Sequence, residues 1–243
     1  MKKGKFYLSG LIVTFVILGC SGIFFSGSAK AVEGNVLTGK VLFEGTAPPP
    51  QKIRVDADPT CVLQHKDGLL SEEVVINPNG TLKNVFVYVK KGLEGQKFET
   101  PKEPVIFDQK GCHYEPHVFG IQVGQPFEIL NSDDTLHNVH ALPKSSKEFN
   151  LGMPLKGMKL TKSFTAPEVM VKIKCEVHPW MNAWGGVLDH PFYSVTGEDG
   201  TFSLKGLPPG EYEVEAWHEK YGIQTATVKV PDTSEVNFTF KSA

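Results

Sequence analysis

The residues best equipped for chemistry lie in Lys174-Cys175-Glu176-Val177-His178-Pro179-Trp180-Met181, where a thiol, an imidazole and a thioether fall within seven residues. Upstream, Leu136-His137-Asn138-Val139-His140 offers a second imidazole, from His137 or from His140. One Cys, two His and a weak axial Met are the ligand set of a blue-copper electron-transfer site. Zinc more often takes three or four thiolates and imidazoles with no thioether. Each residue also has a plainer use: Cys175 as a buried free thiol, Met181 as a core side chain. An exported protein seldom keeps an unpaired Cys idle, and here His178 and Met181 flank it. The expected chemistry is one-electron transfer on a single copper ion.

Such ligands need a stiff scaffold, and the surrounding sequence supplies strands. Gly and Pro punctuate the chain at short intervals, with β-rich runs between them, as in an all-β sandwich or barrel. No long run has a helical period. Ahead of Cys175, alternation puts Val169, Val171, Ile173 and Cys175 on one face, and Met170, Lys172 and Lys174 on the other. The thiol therefore continues a buried face. Val85-Phe86-Val87-Tyr88-Val89 is apolar throughout, as a strand buried on both faces would be. Phe127-Glu128-Ile129-Leu130-Asn131 reads as a strand after the Gly124-Gln125-Pro126 turn. Near the C-terminus, Asp199-Gly200 and Pro209-Gly210 mark hairpins. Residues 143–163 read as a basic loop carrying Lys144, Lys147, Lys156, Lys159 and Lys162, either a solvated segment or a docking patch for an acidic partner.

The N-terminus reads as an export signal. Lys2, Lys3 and Lys5 precede an apolar run from Phe6 to Phe25, and Ala29-Lys30-Ala31 supplies a cleavage pattern. Cleavage after Ala31 is the first reading. The run is also long enough for an uncleaved anchor, and Ile17-Leu18-Gly19-Cys20 resembles a lipoprotein box. All three place the functional part in the periplasm or outside the cell, with or without membrane attachment. Without residues 1–31 the chain loses four Lys and no acid, leaving 21 basic against 27 acidic residues and a net charge of −6. That charge favours solubility and argues against nucleic acid as a partner. Of the four Cys, Cys20 lies in the signal and Cys175 is claimed by the metal. Cys61 and Cys112 remain as an even pair in an oxidising compartment, so a disulfide is expected.

Residues 118–187 resemble a cupredoxin, most closely the amicyanins, through His137-Asn138-Val139-His140, Cys175-x-x-His178-x-x-Met181 and the preceding Gly124-Gln125-Pro126-Phe127-Glu128-Ile129-Leu130-Asn131-Ser132-Asp133. The resemblance implies a Greek-key cupredoxin β-sandwich. It implies His137, Cys175, His178 and Met181 as metal ligands, with Asn138 bracing the Cys-bearing loop, Pro179 stiffening the turn, and His140 structural. It further implies that His178 is partly exposed and passes electrons through an exit lined by Pro179 and Trp180. Implied partners are redox proteins such as cytochromes c or a dehydrogenase. Residues 191–243 resemble part of a carboxypeptidase-regulatory-like, transthyretin-like β-sandwich through Asp199-Gly200-Thr201-Phe202 and Leu207-Pro208-Pro209-Gly210-Glu211-Tyr212, with Gly39-Lys40-Val41 as its opening strand.

The expected organisation is a leader or anchor over 1–31, a β segment over 32–100 contributing to an accessory sandwich, a copper domain over 101–190, and an accessory β segment over 191–243. Cys112-His113 with His117 is a candidate second metal cluster, although a disulfide with two surface His is the better reading. His65, His190 and His218 read as structural. Hydrolase and haem motifs are absent, as are the further His-rich motifs of a multicopper oxidase. The chain reads as an electron carrier and not an enzyme. An envelope protein that stores copper or uses it as a scaffold is the alternative.

Overall fold

A computed structural model of the chain describes residues 34–242 together with Met1. The leader, with its cleavage, anchor and lipid alternatives, lies outside the described residues. Among those described, no helix is long and apolar enough to cross a membrane. The described residues are nearly all β: sixteen strands form two sandwiches, two more pair as a small separate sheet, and there is one short helix.

The first sandwich carries the candidate ligands. One sheet runs in the order Phe149–Met153, His137–Leu142, Glu168–Lys174, Asn182–Leu188, Val118–Gln122. The facing sheet runs Lys159–Lys162, Phe127–Asn131, Val105–Lys110, His113–Glu115. Between them lie Phe107, Phe119, Phe127, Val139, Val171 and Ile173, all buried. Alternation holds for Val171, Ile173 and Cys175 but fails at Val169, which is exposed. The ladder to Asn182–Leu188 shifts register between Glu168 and Val171, and such a bulge re-aims the side chains before it. Residues 143–163, read as a loop, contain two edge strands. Lys159 pairs with Glu128 at 2.8 Å, and Met153 is buried opposite His137 in the ladder.

The second sandwich is assembled from both ends of the chain. Asn35–Glu44 lies between Thr201–Leu207 and Phe238–Lys241, antiparallel to the first and parallel to the second. Its other sheet runs Tyr193–Val195, Phe86–Lys91, Gly210–His218, Gly222–Val230. The sandwich that carries the candidate ligands is thus inserted into the other one. Phe86–Lys91 shows why its apolar run has no polar face. Val87 and Val89 face the accessory core, while Phe86 and Tyr88 pack with Val118 and Leu188 against the inserted sandwich. Gly186 and Gly120 permit this approach: a Cβ on the first would strike the Phe86 ring, and on the second the Tyr193 ring.

The segment between Asn35–Glu44 and Phe86–Lys91 does not stay with its sandwich. The short strands Lys52–Ile53 and Leu69–Leu70 pair, and helix Pro59–Gln64 lies between them. Asp58 is the helix N-cap, its side chain accepting from the Thr60 and Cys61 N–H groups, with Pro59 at the first turn. Cys61 is joined to Cys112. Val55 and both cysteines form a small apolar cluster with Ile53, Leu69 and Trp180. That cluster seats the segment on the ligand-bearing end of the inserted sandwich.

Candidate metal centre

Strand ends bring the ligands together. His137 opens one strand, Cys175 follows the last residue of its antiparallel neighbour, and His178 and Met181 lie in the turn leading to Asn182–Leu188. The turn is closed by Met181 N–H to the His178 carbonyl at 2.9 Å and Cys175 N–H to the Met181 carbonyl at 3.1 Å. Donor atoms of His137, Cys175 and His178 all lie within 4.8 Å of one another. Their exposures are 0%, 3% and 1%, and Met181 is 1% exposed. Asn138 Oδ1 accepts the Glu176 N–H at 2.6 Å, tying the Cys-bearing loop to the neighbouring strand. Pro179 is exposed on that loop and Trp180 is half-buried.

The two imidazoles are oriented alike. Nδ1 of His137 and Nδ1 of His178 face each other at 2.9 Å, and the second lies 3.9 Å from Cys175 Sγ. Nε2 of His137 meets Asp133 Oδ2 at 2.9 Å, and Nε2 of His178 meets Asp58 Oδ2 at 3.1 Å. An ionised carboxylate only accepts, so each Nε2 carries the proton and each Nδ1 is left as a lone pair. Two lone pairs so close, beside a sulfur, require a proton or a cation between them. The donor set of two imidazoles and one thiol therefore fits a metal such as copper.

The charges agree. Burial opposes ionisation of Cys175, but a proton shared by the facing His137 and His178 imidazoles, together with the Asn138 and His178 backbone N–H groups, brings its thiol down to about 6. Burial also disfavours charge on Asp58, yet Thr135, His178 and the helix N–H groups hold its carboxyl down to about 2. Asp133 is held well below the ordinary carboxylate range: against burial, it accepts from His137, the Cys112 and Gly111 N–H groups and Gln64.

The enclosure of His178 differs from what the resemblance implied. It is not a partly exposed ligand, because the Asp58–Gln64 turn covers it, with Cys61 Sγ 3.9 Å from its Nε2. A cleft of about 530 Å³ is walled by Cys175, Pro179, Trp180 and Met181, and by Ile53 and Leu69 of the covering segment.

Neither Asp58 nor Asp133 was found by spacing. Asp133 stands four residues before His137 but carried no role, and nothing in the sequence joins position 58 to position 178. The usable signal was Asp58-Pro59, an N-cap followed by Pro, which marks a helix start although not what the helix covers. His140 stands apart from the site, its two nitrogens each 2.6 Å from Glu176 and Glu148. Cys112, His113 and His117 do not assemble into a second cluster. Cys112 is disulfide-bonded, His113 pairs with Glu115, and His117 bonds the Asn182 carbonyl and Glu219. His65 reaches the Gly111 carbonyl, while His190 and His218 accept backbone N–H groups.

A family model of the carboxypeptidase regulatory-like domain matches residues 188–241. No curated protein matches the chain. Among solved structures, the chain is similar to the Cu-containing nitrite reductase from Thermus scotoductus SA-01, at 23% identity and a TM-score of 0.34 over 40% of this chain and 25% of that one. It is similar to a novel purple cupredoxin from Nitrosopumilus maritimus, at 23% identity and a TM-score of 0.29 over 34% and 98%. A mutant amicyanin in its Cu(I) form matches at 23% identity with a TM-score of 0.32, over 37% and 86%. The chain spans a quarter of the nitrite reductase, and at these TM-scores the likeness adds nothing to what the geometry supports.

Proposed function

We propose that this protein is an exported electron carrier, not an enzyme, built around one type 1 copper ion. Nδ1 of His137, Sγ of Cys175 and Nδ1 of His178 would hold the metal, with Met181 as a further, weaker donor. The observation that carries this reading is the convergence of two inward-facing imidazole nitrogens on one buried thiol. Copper bound there would carry one electron by cycling between Cu(II) and Cu(I). The chain supplies the rest. The bonded turn 175–181 resists rearrangement between the two states, which favours rapid exchange. Burial excludes water from the ligands. With His178 covered, the cleft walled by Cys175 and Trp180 is the route by which electrons would leave. A redox protein of the periplasm, such as a cytochrome c or a dehydrogenase, is the partner class.

The cover over His178 also suits a protein that retains copper for storage or delivery, and kinetics separate the two readings. The copper-loaded protein should be reduced and reoxidised by small complexes and by a cytochrome c in stopped-flow mixing, over many cycles without metal loss. Slow exchange with ready transfer of copper to a chelator would favour storage.

A further inference from the structure

The copper ligands are held by a pair of carboxylates that come from two separate turns. Asp133 accepts the Gly111 and Cys112 N–H groups at 2.9 and 2.8 Å and meets Nε2 of His137. Asp58 caps the helix that begins at Pro59, accepts the Thr135 hydroxyl at 2.7 Å, and meets Nε2 of His178. The Cys61–Cys112 disulfide joins these turns, since Cys61 lies in the helix Asp58 caps and Cys112 donates to Asp133. Gln64, in the last turn of the same helix, reaches Asp133 as well. The far nitrogens of both imidazoles are thus fixed by one covalently closed unit, half of which lies outside the ligand-bearing sandwich.

We propose that Asp58 and Asp133 are positioning residues that set the strength of both imidazole donors, and that the segment carrying Asp58 thereby favours Cu(II) and holds His178 in place. The inference rests on the copper reading above. A carboxylate accepting the far N–H of a ligating imidazole fixes its tautomer and raises its basicity, and loss of such a partner typically costs 10–100-fold in metal affinity. The more highly charged ion gains more from the stronger donor. Asp58 also stops the ring from turning away, because His178 has no solvent on that side.

The test compares Asp58→Asn with the wild-type, copper-loaded full chain. Asn has one side-chain oxygen, so if it keeps the helix cap it turns its amide N–H toward His178 and Thr135 where Asp58 Oδ2 accepted, and in either orientation it removes the charge. Cu(II) affinity, measured by competition with a chelator of known affinity, should fall at least tenfold with Cu(I) affinity nearly unchanged. A tenfold loss confined to Cu(II) raises a one-electron potential by about 59 mV. Thr135→Val should move the potential the other way, because it frees Asp58 Oδ2 to accept from His178 alone. In metal-free protein, the His178 Nε2–H resonance should be protected from exchange and should lose protection in Asp58→Ala. An unmoved potential in Asp58→Asn, in a wild type with the expected copper spectrum, overturns this inference alone. Absence of that spectrum in the wild type removes the copper reading and this inference with it. Where Asp58→Asn fails to fold, Thr135→Val decides: a potential unchanged or raised contradicts the proposal.

Discussion

At the scale of single residues, the sequence spoke most clearly about ligands. Cys175, His178 and His137 could be named because a soft thiol and two imidazoles at loop spacing have few uses besides binding a metal. Their carboxylate partners could not, because a contact between positions 58 and 178 depends on a fold that short-range patterns do not encode. The reading of His178 as partly exposed failed for the same reason: the covering helix is distant in sequence. Met181 is the proposed ligand with the plainest rival use, since it also packs in the sandwich core. Met181→Leu should keep the thiolate absorption while raising the reduction potential, since loss of a donor weakens Cu(II) more than Cu(I); cyclic voltammetry measures it. His218 gives a second test. It is 1% exposed, and burial lowers its pKa from 6.5 to about 4. A histidine that resists protonation when folded contributes stability present above the unfolded value and lost as pH falls. Urea unfolding should therefore show a decline between pH 6.5 and 4 that is shallower in His218→Asn, by up to roughly 3 kcal/mol at the acid end.

At the scale of elements, strand patterns were legible where one face is buried and misleading where geometry intervenes. The apolar run at 85–89 announced double burial correctly, and the two faces prove to serve two different cores. The bulge before Val171 could not be read, since alternation predicts Val169 inside. A helix of six residues is too short for its period to show. Two variants test these elements. Gly186→Ala should destabilise the protein by about 1–3 kcal/mol, the usual result of overpacking, because the new methyl meets the Phe86 ring; thermal unfolding reads this directly. Replacing Cys61 and Cys112 together by Ser should cost about 4 kcal/mol in the chain-entropy model. Hydrogen exchange should show protection lost first in residues 52–70, before either sandwich opens.

At the scale of the whole molecule, the chain is one sandwich interrupted by another. The match to residues 188–241 omits Asn35–Glu44 and Phe86–Lys91, which are central strands of the two accessory sheets. A fragment spanning 188–243 should therefore remain unfolded by circular dichroism and gain structure only with residues 34–100 present. Turn signals pointed to an all-β architecture and the two resemblances to two sandwiches, whereas the insertion follows from pairings between positions more than 150 residues apart. The accessory sandwich also meets the end that carries the candidate ligands. Glu219, in the hairpin turn after His218, bonds His117 at 2.6 Å, and His117 in turn holds the carbonyl of Asn182, next to Met181. The proposed function turns on whether the site takes copper. Visible absorption and EPR spectra should be recorded for the protein loaded with Cu(II), beside the Cys175→Ser variant. An intense thiolate-to-copper band with narrow copper hyperfine splitting, abolished in the variant, is the predicted result. A pale, tetragonal signal that survives the substitution would contradict it.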